Sequence, residues 1–275
     1  MTAVLGVVLV AVALVAAVRS TWSPCGLSML STITPMAERA KGHRYGATCA
    51  WFVAGAVVGG LALGALGALG AVVVHALDPS TVAAASVALV AVAVALVSDR
   101  GLARVRVPVH FRQVNERWLD AYRPWVYGAG FGFQIGTGLA TYITTAAVYL
   151  LVVLGALTGL PVVALAVGAL FGLVRGLAVL LTRRVGSAES LLGFHRRFAG
   201  LLPAAERAVT VVLASAAAVL VVVAWPVSVA VVAALAVVTL VLRVALRGRC
   251  GVAPACPVGD APGDRTADAP SVPVG

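Results

Sequence analysis

Apolar stretches long enough to cross a membrane recur along this chain, and they limit its fold more than any other feature. A helix of about 20 apolar residues spans the ~30 Å hydrocarbon core of a bilayer. Seven stretches qualify: 3–35 (interrupted), 45–74, 82–98, 125–153, 160–182, 207–224 and 226–246. Hydrophobic residues make up 61% of the 275 residues and charged residues only 11%, as is typical of integral membrane proteins. The sequence therefore predicts an all-α, polytopic membrane protein with about seven transmembrane helices.

The distribution of basic residues indicates how the chain is oriented. Apart from Arg19 and Arg175, the Lys and Arg residues fall in these segments: 39–44, 99–124, 183–207 and 243 onward. The alternate links contain none: 75–81, 154–161 and 225–227. We expect the protein in the cell (inner or plasma) membrane. The positive-inside rule then places the N-terminus outside and the C-terminus in the cytoplasm. The net charge of +10 is thus a topology signal. We expect membrane lipid as a partner and no nucleic acid.

A weak internal repeat relates the two halves of the chain. Residues 26–34 (GLSMLSTIT) and 136–144 (GTGLATYIT) share Gly, Ile and Thr at a constant offset of 110 positions. A three-helix repeat reverses its orientation in the membrane when it recurs, because it contains an odd number of spans. We therefore predict two inverted three-helix repeats plus one extra helix. Broken helices at matching positions of such repeats are typical of sites near the bilayer midplane.

This interpretation divides the chain into five parts. They are a first three-helix repeat (1–98), a cytoplasmic amphipathic loop (99–124), a second three-helix repeat (125–224), a seventh helix (225–249) and a disordered cytoplasmic tail (250–275). Glycines recur at four-residue spacing in the second and fifth stretches: Gly55 with Gly59, Gly60 with Gly64, and Gly168 with Gly172 and Gly176. Such spacing predicts close helix packing in lipid.

The first stretch contains a polar interruption, "RSTWSPCGLSMLSTITP" at 19–35. Proline removes a backbone donor and clashes with the preceding turn, so we expect the helix to open near Pro24. Carbonyls freed there must face protein or a watery cavity. The polar residues predicted to line this binding site are Ser23, Pro24, Thr32 and Thr34 in the first half, with Gln134, Thr141 and Thr144 in the second.

Cys25 follows the break directly and is the candidate catalytic thiol, although a small packing residue is the alternative. Arg19 lies six residues earlier, and a nearby cation favours the reactive thiolate. We therefore include Arg19 in the site and expect Arg175 to snorkel to the inner surface. Cys49 is a possible second thiol.

Other chemistries are disfavoured by the positions of the titratable residues. All ten Asp and Glu residues lie in connections or in the tail, which argues against an acid-coupled pump and against divalent-metal transport. The four histidines, at 43, 75, 110 and 195, lack metal-ligand spacing. We expect neither a metal nor a cofactor.

The "WSPCG" motif at 22–26, with Pro35 after it, resembles the CcdA/DsbD-type family of membrane electron-transfer proteins. The resemblance implies passage of thiol-linked reducing equivalents from a cytoplasmic thioredoxin-like donor, with one cysteine in the first helix of each repeat. The chain departs from this pattern, because 125–153 contains no cysteine and Ile135 aligns with Cys25. Cys25 would then act alone through mixed disulfides, pair with Cys49, or serve a scaffold without redox chemistry.

Three functions remain open at this point. The first is membrane transfer of thiol-linked reducing equivalents, or of a small sulfur-containing or anionic solute, at Cys25. Only the redox version would make the protein an enzyme, of the thiol–disulfide oxidoreductase type. The second is cysteine-independent transport or export of a small solute on the same inverted-repeat fold. The third is a structural membrane subunit that binds partners through basic cytoplasmic loops.

Overall fold

The described structure is helical throughout. The computed structural model describes residues 2–101, 122–139 and 143–223, and these ranges contain no strand. Most of the predicted cytoplasmic loop, the seventh helix and the tail lie outside them. Five of the described helices are long and apolar enough to cross a membrane: Thr2–Trp22, Tyr45–Leu77, Thr81–Asp99, Pro161–Arg184 and Ala188–Val223. The chain is therefore an all-α, multi-pass membrane protein, which confirms the predicted fold class.

We number the described helices in chain order. They are α1 (Thr2–Arg19), α2 (Pro24–Thr32), α3 (Pro35–Ala40), α4 (Tyr45–Leu77), α5 (Thr81–Asp99), α6 (Pro124–Thr137), α7 (Ala147–Leu157), α8 (Pro161–Leu177), α9 (Ala188–Gly200) and α10 (Leu202–Val223). Two 3₁₀ segments, Ser20–Trp22 and Ala178–Arg184, extend α1 and α8. Proline opens α2, α3, α6 and α8, where its missing N–H has no intrahelical partner to lose.

Helix α4 is the centre of the bundle, and glycines let two neighbours approach it closely. A Cβ atom added to Gly60 would collide with the Gly168 carbonyl oxygen on α8, and one added to Gly132 on α6 would collide with the Phe52 carbonyl oxygen. Only glycine fits where backbones meet at this distance. The close packing that the glycine spacing predicts is confirmed.

Two helices of the bundle are interrupted. After α1 the chain makes the 3₁₀ turn, and Ser23 then adopts extended backbone angles (φ −70°, ψ 154°) before Pro24 starts α2. The predicted break near Pro24 is confirmed. The stretch 125–153 is also divided, because α6 ends at Gly138, whose φ of +65° is left-handed, and α7 begins only at Ala147. The inverted repeat and its boundaries stay predictions.

Helix α9 covers the first break from one side. The Trp22 indole N–H donates to the Phe198 carbonyl at 2.9 Å, and the two rings stack with centroids 4.3 Å apart. Further along, Ser31 Oγ lies 3.1 Å from His195 Nε2. These contacts attach the amphipathic helix α9 to the polar segment around the first break.

Candidate site at the helix breaks

The side chain of Arg175, on α8, joins the two breaks. Its Nη1 donates to the Ile135 carbonyl oxygen at 2.5 Å, and its Nη2 donates to the Ser20 carbonyl oxygen at 3.3 Å. Both carbonyls lie near helix ends, and each also accepts one backbone N–H: Ile135 from Gly138 at 3.1 Å and Ser20 from Ser23 at 3.2 Å. Arg175 is only 2% exposed. The expectation that it snorkels to the surface is therefore wrong, since these two carbonyl oxygens, each with a second lone pair, give its guanidinium partners inside the bundle.

No acidic side chain in the described part of the chain balances the charge of Arg175. None of the carboxylates in the described ranges pairs with it. Its Nε atom is buried and has no hydrogen-bond partner, and its guanidinium carbon lies 5.7 Å from the centre of the Phe171 ring. Cys25 lies close enough to interact with it electrostatically. The centre of the molecule thus combines a buried cation with a thiol.

The "WSPCG" segment forms a compact capped turn that positions Cys25. The Ser23 hydroxyl oxygen accepts a hydrogen bond from the Gly26 N–H at 3.1 Å and so caps α2. A side chain at Gly26 would collide with the Thr21 carbonyl oxygen, so glycine is required at this position. Cys25 is the second residue of α2 and is 3% exposed. The break therefore places the thiol inside the protein at the N-terminus of a helix.

A polar cavity of about 280 Å³ lies beside this centre, between the ends of α1 and α5, the start of α10 and the second break. Its lining residues are Arg19, Asp99, Arg100, Thr144, Thr145, Pro203, Glu206, Arg207, Val209 and Thr210. Two predicted site residues, Arg19 and Thr144, come together here. The Arg19 guanidinium pairs with Glu206 at 3.0 Å, whereas the buried Thr144 hydroxyl has no partner.

Asp99 holds the second break in place. One of its carboxylate oxygens accepts a hydrogen bond from the Ala146 N–H at 2.6 Å, and the other accepts one from the Thr145 hydroxyl at 2.5 Å. A carboxylate at this position caps the N-terminus of α7 and complements the helix dipole. The sequence alone predicts an acid in a connection at Asp99, although its position directly after the apolar stretch 82–98 was a signal.

Two of the other predicted binding residues, Thr32 and Thr34, make hydrogen bonds within their own segments. The Thr34 hydroxyl oxygen accepts from the Ala37 N–H at 3.1 Å and caps α3. The Thr32 hydroxyl donates to the Ser28 carbonyl at 3.0 Å. Gln134 is half-buried on α6. Thr141 lies outside the described residues.

The two described cysteines, Cys25 and Cys49, are not joined by a disulfide in this structure. Cys49 is buried in an apolar cluster around Phe52 and Tyr127. Within the described ranges, no group of three or more His, Cys, Asp or Glu side chains could hold a metal ion. The functional groups at the breaks are thus the Cys25 thiol and the guanidinium groups of Arg175 and Arg19.

Sequence comparison relates the chain to proteins named methylamine utilization protein MauF. It is 31% identical over 174 residues to the protein from Methylophilus methylotrophus, covering 62% of this chain and 60% of the relative. The Paracoccus denitrificans protein is 32% identical over 177 residues (62% of each chain), and that of Paracoccus versutus is 30% identical over 167 residues (58% and 59%). The chain thus spans about three fifths of the length of these relatives.

These relatives correct the resemblance drawn from the first break. No family model matches the chain, and no solved structure matches it. The assignment to the CcdA/DsbD-type family is wrong, because the relatives found over 167–177 residues carry the name MauF instead. That assignment depended on a five-residue motif with one cysteine. A proline break beside a small polar cluster also occurs in unrelated membrane helices, because the polar groups can pair with the backbone groups that the break leaves unbonded.

Proposed function

We propose that this chain is an accessory membrane protein that supports the use of methylamine or a related small amine. Its multi-pass, apolar helical fold and its similarity to proteins named for methylamine utilization support this proposal. Almost the whole described chain consists of bundle helices, and the reactive groups lie at the helix breaks. An accessory role at the membrane fits this arrangement of helices and reactive groups better than enzymatic conversion of the amine itself.

Within that role, we propose that the helix breaks form a centre that handles a thiol or a small anion. The observation that carries this proposal is the buried guanidinium of Arg175, which has backbone partners but no carboxylate among the described residues. A buried cation is costly unless an anion accompanies it. The Cys25 thiolate, or a small anionic solute, would supply the missing negative charge.

The thiol version uses Cys25 as a nucleophile. Its thiolate would attack a disulfide of a client protein, form a mixed disulfide with one sulfur and release the other sulfur as a thiolate. A cation and a helix N-terminus are the surroundings in which reactive thiolates occur. Since Cys49 is not bonded to Cys25, a different thiolate of the client would attack the mixed disulfide, form a rearranged client disulfide and release Cys25 as the thiolate.

The solute version is favoured by a different observation, the polar cavity that contains Arg19 and the unpartnered Thr144 hydroxyl. Three arginines and two acids line it, which leaves an excess of one positive charge. A small carboxylate or sulfur oxyanion suits this balance. In this version Cys25 is a packing residue.

Complementation separates these possibilities. In the source organism the gene is deleted, and growth is measured with methylamine and with ammonium as the nitrogen source. Normal growth of the deletion strain on methylamine would exclude the accessory role. Loss of growth with Cys25→Ser but not with the matched control Cys49→Ser supports the thiol version. The solute version instead predicts that Cys25→Ser is silent and that Arg19→Gln is impaired.

A further inference from the structure

A buried carboxylate cluster, separate from the helix-break site, lies where α3, α4 and α6 meet. Glu38 on α3 is completely buried. The Tyr127 hydroxyl on α6 lies 2.8 and 2.9 Å from its two oxygens, and the Thr48 hydroxyl on α4 donates to it at 2.5 Å. One side chain thus connects three helices. Glu38 lies in a connection between apolar stretches, as the sequence predicts, but it is buried rather than exposed.

The cluster reaches the surface at His43. His43 is 29% exposed at its side chain, and its Nδ1 lies 3.4 Å from the Tyr127 hydroxyl oxygen. The same Nδ1 is 3.9 Å from Glu38 Oε2, which is too far for a direct hydrogen bond. Tyr127 therefore stands between the exposed imidazole and the buried carboxylate, within reach of both.

The remaining charged or titratable neighbours are few in the described part of the chain. Lys41 Nζ lies 5.8 Å from the centre of the Tyr127 ring, and the Cys49 thiol on α4 is within electrostatic range of Glu38. The 3₁₀ segment after α8 contributes Arg183, which interacts electrostatically with Tyr45 on α4.

The geometry limits what this carboxylate can bind. Its side chain is fully enclosed and both oxygens already accept hydroxyl hydrogen bonds. A metal ion or an ammonium group would have to displace these donors, whereas a proton adds no volume. A protonated carboxyl can donate to the Tyr127 oxygen, which then keeps its own proton for His43.

We propose that Glu38 is a proton-binding site that exchanges with solvent through Tyr127 and His43. A proton from water first binds the His43 imidazole. The Nδ1–H bond then breaks as a new O–H bond forms on Tyr127, while the original Tyr127 proton moves to a Glu38 oxygen. Tyr127 ends with one proton, as it began, and His43 is neutral again. Because Glu38 connects α3, α4 and α6, proton uptake changes the charge at their junction.

Infrared difference spectroscopy of the purified full-length protein in lipid nanodiscs tests this proposal. We expect the C=O stretch of a buried carboxylic acid to rise as the pH falls, and to be absent in Glu38→Gln. Glu206→Gln is the matched control, since Glu206 is 54% exposed at its side chain, and it should retain the band. In His43→Phe the band should rise at least tenfold more slowly after a pH jump.

Three results would overturn the proposal. The first is a band that persists unchanged in Glu38→Gln, and the second is the lack of any buried carboxyl band over the pH range in which the protein stays folded. The third is a band that rises equally fast in His43→Phe after the pH jump. If Glu38→Gln does not fold, Tyr127→Phe decides. It removes one hydrogen bond to Glu38, so the band must shift in frequency, and an unshifted band would refute the assignment. This equilibrium measurement does not depend on the role in amine utilization.

Discussion

Replacing Gly60 with alanine tests how the bundle is held together. Gly60 faces α8, and a Cβ atom there would collide with the Gly168 carbonyl oxygen and lie 2.8 Å from Gly172 Cα. Ordinary carbon–carbon contacts are ~3.5–4.0 Å, so α4 and α8 would have to separate by about 0.7 Å or more. The same separation would loosen every other contact along this helix pair, because the helices are stiff.

The expected loss of stability follows from two opposing effects. Overpacking of a close contact costs about 1–3 kcal/mol, and here the obstacle is backbone that cannot rotate away. Alanine favours the helix over glycine by at most about 1 kcal/mol. We therefore expect Gly60→Ala to lower the free energy of unfolding by about 1–2 kcal/mol. Gly46→Ala is the matched control on the same helix, because no atom lies within 4 Å of a Cβ there. It should leave stability unchanged or slightly raised.

The buried thiols provide the assay. Cys250 and Cys256 are replaced by serine, so that a fluorogenic maleimide reports only on Cys25 and Cys49, each 3% exposed. Labelling is followed in detergent micelles against increasing temperature and denaturant. Equal midpoints for Gly60→Ala and the unsubstituted protein, or equal destabilisation by Gly46→Ala, would refute the packing argument.

Three further outcomes are expected. Arg175→Met should destabilise the protein by about 1–3 kcal/mol in the same assay, because two buried carbonyl oxygens lose a charged donor and keep only a backbone N–H. Arg19→Gln should cost less than about 1 kcal/mol, since its partner Glu206 is exposed. The opposite order would assign the structural role to Arg19. In a variant with Cys25 as the only cysteine, alkylation by a small membrane-permeant reagent should slow when Arg175 is replaced by Met, and an unchanged rate would mean that this arginine does not act on the thiol. Reporter fusions at Asp78 and Gly159 should report an external location, and a cytoplasmic signal from either would overturn the topology.

The sequence alone determined the fold class and the first break. Apolar stretches of membrane-spanning length leave a chain few alternatives to a helical bundle, because backbone groups in lipid must be paired within each helix. The effect of Pro24 is equally local, since a missing N–H acts on its own turn. The four-residue glycine spacing predicted close packing, although it did not say which helices would meet.

The tertiary structure decided which charged side chains enter the bundle. Arg175 and Arg19 look alike in sequence, each a lone arginine in an apolar stretch, yet only Arg175 is positioned to bind the carbonyls of both breaks. Glu38 reads as a loop acid until Tyr127, 89 positions away, is brought against it. Burial of a charge is decided by partners distant in the chain, because only their hydrogen bonds can replace the water that the charge gives up.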